Sequence, residues 1–509
     1  MNAKSGIGRL FTLHPVVTVA PRSPLELIHP DGVARRACVL GGTLPAPLRP
    51  DSSPARPYDL IVAARPSRAL TRAWASDALR LAAAELAPDG VAYLAARGID
   101  RAGLRRLVTR HGLTVELEIA HLPQLASSTF LAPLEPAPIQ FALAELMLMP
   151  AWRRRALNLV LRRRRKLPVA FSSVGYVVRR SGSRGCFEWL SALDRTRRTV
   201  AVISRTRPGD GPGFFVLHRF SEGDSRPSAI AKVIPTENSK FERETSSLRL
   251  IAKTARAAGA DVPEALTTAT LGTSRVLLLE PVGGRLAATL LARRPDSLET
   301  ITADVVRWLA AWAHLTAAPI RLTGDLLDRA LLQPAQLLVG HISNGPMYAE
   351  RIERLCAAAE GREIVGTAAH NDLTMWNLLV ADGGRIGVVD WETATTESLP
   401  LVDFYYAVAD AVAATEAYAN RARSFSRAFA RHHRTARWIA VVEERLIGEL
   451  RLEHWAAELG FHACWLHHAR NELRLAGRAR PGPFVQIVEA IADERRGLDR
   501  GTRAQASLP

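Results

Sequence analysis

A short stretch in the second half of the chain has the residue types and spacing for phosphoryl transfer. His370-Asn-Asp-Leu-Thr-Met-Trp-Asn377 sets an aspartate, Asp372, five residues before an asparagine, and Asp390-Trp391-Glu392 follows the apolar run Arg385-Ile-Gly-Val-Val. An acid and an amide on one loop, then an acid at the end of an apolar strand, is what ATP-dependent phosphoryl transfer requires. In such an arrangement the loop acid takes the proton of the attacking hydroxyl, and the other two residues hold magnesium. Three fixed residues at set spacing arise by chance in a chain of this length with a probability on the order of one in a hundred, before the second acid is counted.

The elements that must position these groups are legible upstream. Thr199 to Arg205 and Gly213 to Arg219 read as strands around a loop containing Gly209, Gly211 and Gly213, and Ser228-Ala-Ile-Ala-Lys-Val-Ile234 alternates as a third. The glycines could cover phosphates with backbone amides, although two prolines interrupt the loop and a plain hairpin serves the pattern as well. A helix is expected over Asn238 to Ala258, then an apolar strand, Val276-Leu-Leu-Leu-Glu280, running into Pro281-Val-Gly-Gly284. A small sheet, one helix and a connecting strand would make the smaller lobe of a kinase-like fold.

From about Thr199 to Leu475 the sequence resembles the aminoglycoside phosphotransferase and choline kinase family, small-molecule relatives of the protein kinases. The resemblance rests on His370, Asp372 and Asn377, on Asp390-Trp391-Glu392, and on Pro400-Leu-Val-Asp403. It implies an α+β, protein-kinase-like, two-lobed domain that uses ATP and Mg2+. Asp372 would be its catalytic base, His370 the side chain that props the loop beside it, Asn377 and Asp390 its metal ligands, and Asp403 a structural acid. Lys232 falls where the family's phosphate-binding lysine sits, and Glu244, twelve residues on, is its expected partner. A lysine on a partly buried strand needs one. Glu242, on another helical face, is the competing acid, and a snorkelling edge-strand lysine is the bland alternative. Pro281 has no N–H for adenine, which leaves Val282 or the Glu280 carbonyl to serve. The family's glycine before Pro-x-x-Asp is absent from Thr393 to Leu399.

The first third reads differently. Tyr58 to Ala63, Ala69 to Leu86, Val91 to Ala95, Ala102 to His111 and Thr114 to Ile119 alternate as strand, helix, strand, helix, strand, the pattern of a largely parallel α/β sheet. It resembles the later part of a class I methyltransferase fold, a Rossmann-like architecture, with Val169 to Val178 as a closing hairpin. A working cofactor site needs a glycine-rich turn after the first strand and an acid some way beyond it, and only Leu40-Gly41-Gly42-Thr43 is available. The expectation is therefore a degenerate methyltransferase-like domain over 1–180, carrying a basic helix at 150–166. A kinase-like domain follows over 181–509, with its small lobe at about 195–283 and its large lobe at about 284–509.

Composition bounds the rest. The 509 residues exceed one ordinary core, and 48% apolar with 23% charged residues describes a globular chain. The 67 basic and 50 acidic residues leave +17, of which eleven cations and no acid lie between Leu146 and Phe187. That run, above all Arg153 to Lys166, is either a solvated helix with one buried stripe or a surface for anionic lipid head groups. No aromatic residues interleave with its arginines, so nucleic acid is not expected. Four scattered cysteines, no convincing leader and no long apolar window point to a cytoplasmic chain that meets a membrane only peripherally. His462, Cys464, His467 and His468 invite a zinc reading, but a helical stretch with Trp465 and Leu466 reads as core and surface histidines. There is no Walker loop and no Gly-x-Ser-x-Gly or His-Glu-x-x-His motif.

The expected function is phosphoryl transfer from ATP to a hydroxyl of a small molecule. From Pro400 onward 16 arginines face 13 acids, which suits a neutral or anionic acceptor, such as a sugar, better than a polycation. The alternative is a non-catalytic kinase-like scaffold docked through the basic segment to a membrane or an enzyme complex.

Overall fold

The computed structural model describes residues 23–40, 56–69, 72–97, 101–122, 130–148, 174–195, 198–205, 214–430, 432–476 and 482–493. The chain divides into two compact units, the first made of Met1–Phe241 with Glu264–Pro281 and the second of Glu242–Pro263 with Val282–Pro509.

The first unit is built on one mixed sheet. Its strands are β1 (Ala37–Leu40), β2 (Tyr58–Ala69), β3 (Leu86–Arg97), β4 (Leu113–Leu122), β5 (Phe130–Pro133), β6 (Val174–Arg180), β7 (Thr199–Arg205), β8 (Phe215–Ser221), β9 (Ala229–Pro235), β10 (Ala265–Leu271) and β11 (Ser274–Leu279). Their order among the described residues is β1-β2-β3-β6-β4-β5-β7-β8-β9-β11-β10. β1, β2 and β3 are parallel, as strand-helix alternation requires. The helices Arg72–Glu85 and Arg101–Arg110 bury Trp74, Leu79, Leu104 and Val108 in one cluster with Ile61, Ala92, Leu94 and Val178. The closing hairpin expected over Val169 to Val178 is a single strand where it is described: β6 inserts antiparallel between β3 and β4, and residues 169–173 lie outside the described residues.

The sheet runs through position 180. β5 pairs with β7 through Phe130 opposite Ser204 and Leu131 opposite Ile203, so the α/β strands and the antiparallel strands β7 to β11 share one ladder. An edge left open at β7 would present unpaired N–H and C=O groups, and β5 covers it. The helix expected over Asn238 to Ala258 is two helices, Lys240–Leu250 and Ala252–Ala257, interrupted at Ile251. β10 has no counterpart in the sequence reading, because Ala-Leu-Thr-Thr-Ala-Thr-Leu is mostly exposed and alternates weakly.

Three cations of the basic run are committed within this unit. Arg179 pairs with Glu116 at 2.6 Å, Arg184 with Asp31 at 2.6 Å and Glu188 at 2.8 Å, and Arg180 donates to the Ala83 and Leu86 carbonyls. Arg153 to Lys166, the loop of Gly209, Gly211 and Gly213, and Gly41 with Gly42 lie outside the described residues.

The second unit is mainly helical. The helices Leu298–Thr316, Gly345–Ala359, Val402–Thr415, Arg434–Glu449 and His454–Ala476 enclose Trp312, Tyr405 and Trp465, all fully buried. The strand Glu363–Ala369 pairs with Ala318–Arg321 and Thr395–Ser398, and Leu378–Val380 pairs with Ile386–Val388 in a second small sheet. No helix among the described residues is long and apolar enough to cross a membrane.

Candidate active site

The loop 370–377 leaves the strand Glu363–Ala369 and enters the strand Leu378–Val380. Asp403, in the first turn of the Val402–Thr415 helix, fixes its start by accepting hydrogen bonds from the backbone N–H of His370 at 2.6 Å and of Asn371 at 2.8 Å. Burial raises the Asp403 carboxyl to about 6, against the opposing pull of those two donors. Asn371 has φ 62, a left-handed conformation that asparagine tolerates better than most residues. Its side-chain amide donates to the Thr393 carbonyl and Thr395 Oγ1, both at 3.0 Å.

Asp372 stands next on this anchored turn. Its carbonyl accepts from Thr374 N at 2.8 Å and from Asn377 Nδ2 at 2.8 Å, and Asn377 Nδ2 also lies 3.2 Å from Asp372 Oδ2. Asn377 thus closes the loop on itself, with its Oδ1 as the remaining acceptor atom. Burial, followed by the charges of Asp390, Asp410 and Glu392, raises the Asp372 carboxyl to about 7. A base poised near neutrality can both take and give up a proton.

Backbone bonds tie the Asp390 segment to this loop. Val389 N donates to the Asn377 carbonyl at 3.0 Å, and His370 Nε2 lies 3.0 Å from the Val389 carbonyl. His370 is therefore a fully buried prop of both segments, packed 4.9 Å from the Trp391 ring. Asp390 has φ 68, a strained conformation for an aspartate. Trp391 anchors it: the indole N–H donates to the Val388 carbonyl at 3.0 Å, and the ring packs on Trp312.

The carboxylates of Glu244, Asp390 and Glu392 come within 4.8 Å of one another, the one such group among the described residues. Three acids so close repel unless a cation or protons intervene, and oxygen-only ligands suit a hard divalent ion. Glu244 is fully buried while Glu242 is exposed. Lys232 is 6% exposed on β9, between Val216 of β8 and Leu277 of β11. Glu280 is exposed, and its N–H donates to the Glu264 carbonyl at 2.8 Å. Val282 is half-buried, with its side chain over Gly387.

One part of the site was not among the residues singled out from sequence. Asp410, 1% exposed, accepts from Met375 N at 2.7 Å, from the Tyr418 hydroxyl at 2.8 Å and from Arg421 at 2.6 Å. Arg421 also lies over the rings of Tyr418 and Phe484. This second aspartate holds the far side of the Asp372 turn as Asp403 holds the near side. The signal was available: Asp410 lies seven residues after Asp403 in an otherwise apolar helix, and an acid there must be partnered.

Among the described residues, His462, Cys464, His467 and His468 do not form a group that could hold a metal ion. His462 Nδ1 lies 3.0 Å from the Tyr348 hydroxyl, whereas Cys464, His467 and His468 face a cavity. All four cysteines are free and buried.

Residues 218–439 match the family model described as the phosphotransferase enzyme family. No curated protein matches the chain. Among solved structures, an aminoglycoside phosphotransferase of Streptomyces rimosus is similar at 16% identity and a TM-score of 0.32, over 50% of this chain and 90% of that one. A structure described as a putative fructosamine-3-kinase of Haemophilus somnus is similar at 11% identity and a TM-score of 0.37, over 60% and 94%. A streptomycin and ATP ternary complex of another aminoglycoside phosphotransferase is similar at 14% identity and a TM-score of 0.30, over 51% and 84%. The matched segment, residues 218–439, contains the loop and the carboxylates just described.

Proposed function

We propose that the C-terminal region transfers the γ-phosphate of ATP, with magnesium, to a hydroxyl group of a small molecule. The observation that carries this reading is Asp372, its carboxyl raised to about 7 on a turn pinned by Asp403, Asn377 and Asp410. In the transfer a bond forms between the acceptor oxygen and the γ-phosphorus, the bond from that phosphorus to the bridging oxygen breaks, and its electron pair leaves with ADP. Asp372 receives the hydroxyl proton. His370 and Asn377 hold the turn so that this carboxylate meets the acceptor in one orientation.

The clustered acids fit a magnesium ion, with Asp390, Glu392 and the Asn377 oxygen as its holders and Glu244 beside them. When bound, the ion neutralises phosphate charge. Lys232, Glu280 and Val282 keep the nucleotide-binding roles that the family resemblance gives them. A neutral or anionic acceptor, such as a sugar, is the class we favour. For the N-terminal strands we propose a methyltransferase-type fold without its ligand, a reading supported by the reversed strand β6 within otherwise parallel neighbours.

A thermal-shift titration tests the nucleotide half. ATP with magnesium should stabilise the wild type by about 2.7 kcal/mol at a hundredfold excess over Kd and leave Asp390→Asn unshifted. Equal shifts in both proteins, or none in either, would sink the reading.

A further inference from the structure

We propose that the acceptor binds in the cavity beside the Asp372 loop and carries an anionic group, a phosphate or a carboxylate, held by Arg470 and Arg329; the inference rests on the phosphotransferase reading above. The cavity lies within the second unit, has a volume of about 470 Å³ and is bordered by Asn371, the neighbour of Asp372. Thr393, Asp403, Tyr406, His468, Arg470 and Arg329 are among the residues that line it. That volume suits a small metabolite. Asp372 does not itself line the cavity, but its charge reaches the lining residue Tyr406.

The charges decide what the occupant is. Arg470 is half-buried; among the described residues its Nε, withdrawn from water, has no hydrogen-bond partner, and its guanidinium makes one long 3.4 Å contact, with the Arg329 carbonyl. Other half-buried arginines of this unit pair with acids: Arg421 with Asp410, Arg351 with Glu458 and Arg427 with Glu416. Arg470 instead has Arg474, whose positive charge, after burial, makes its own harder to hold. The acids on the cavity wall do not answer it. Asp403 is committed to two backbone N–H groups, and Glu397 is exposed. A guanidinium left in this state gains most from an anion that pairs with it in bidentate fashion.

The remaining lining suits the rest of such a molecule. Burial keeps His467 near 4 and His468 well below the ordinary imidazole range, so both are neutral hydrogen-bonding groups. His468 stacks on Tyr406 at 3.8 Å, giving a flat wall against which a carbon skeleton can lie. Anion at Arg470 and hydroxyl toward Asn371 and Asp372 is the orientation this arrangement favours.

The test uses the full-length protein at constant ionic strength, titrated with glycerol 3-phosphate, glycerate and glycerol as phosphate, carboxylate and neutral probes. Binding is read by thermal shift. Wild type should respond to at least one anion and not to glycerol, and the preferred anion identifies the group. Arg470→Met should weaken that response at least about tenfold. ATP stabilisation should remain unchanged in this variant. Arg329→Met, at an exposed position, should weaken it less and decides the matter if Arg470→Met fails to fold. No response to either anion, an equal response to glycerol, or unchanged anion binding in both variants overturns the proposal. Failure of the nucleotide arm alone, with an Arg470-dependent anion response intact, would instead remove the phosphotransferase reading and keep the pocket.

Discussion

Asp372 carries opposed demands, and they give two predictions. Its carboxyl is raised from an ordinary 3.8 to about 7 by burial and by neighbouring acids. The folded state therefore holds this proton more tightly than the unfolded chain. That contribution to stability is present below about pH 4 and is lost as pH rises through about 7. In metal-free protein with a chelator, Asp372→Asn should melt above wild type at pH 8, with the gap closing toward pH 4. A gap that widens at low pH contradicts the assignment. The same substitution removes the proposed base, so phosphoryl transfer should fall by a factor of about 100 or more. Turnover by the variant at the wild-type rate would rule out Asp372 as the base. Arg421 makes a complementary case: Asp410 is fully buried with Arg421 as its ion-pair partner, and Arg421→Met strands that charge. A loss of about 3–5 kcal/mol in chemical denaturation is expected.

At the scale of elements, the Asp372 turn is held from outside by one helix. Asp403 and Asp410 both belong to Val402–Thr415 and bond the backbone on either side of Asp372. The start of that helix is itself wedged in place. A Cβ on Gly460, in the helix His454–Ala476, would lie 1.9 Å from the Pro400 carbonyl oxygen. Backbone cannot yield as a flexible side chain can. Gly460→Ala should therefore cost about 1–3 kcal/mol or more, and it should lower turnover through the displaced Pro400-to-Asp403 turn while ATP affinity changes little. An alanine variant with wild-type melting temperature and turnover would show that this close approach is not needed.

For the whole molecule, the continuous sheet matters most. The sequence suggests cutting at residue 181, yet β5 lies before that point and pairs with β7 after it. A fragment of residues 181–509 would leave β7 with an open edge and uncover Val200, Val202 and Ile203, which are buried in the intact chain. We expect it to aggregate, or to melt well below the full chain, in size-exclusion and thermal-melt measurements. A monodisperse fragment melting with the full chain would instead mark 181 as a true boundary.

Much of the candidate site was readable in the sequence because its parts are local. Asp372 and Asn377 share one loop, Asp390 ends a strand, and Asp403 opens a helix, so residue type and spacing fixed their elements without knowledge of packing. The strand-helix alternation of the first third was equally local, since each element shows its own period. Tertiary structure decided what joins residues far apart in the chain: Glu244 with Asp390 and Glu392, Asp410 with Met375, β5 with β7, and the two cations of the cavity. A charge in an apolar helix announces that it needs a partner, but which partner depends on how the helices and strands pack. Arg470 shows the limit most plainly: it is one arginine among many in the sequence, and only the folded chain leaves it half-buried with no acid paired to it among the described residues.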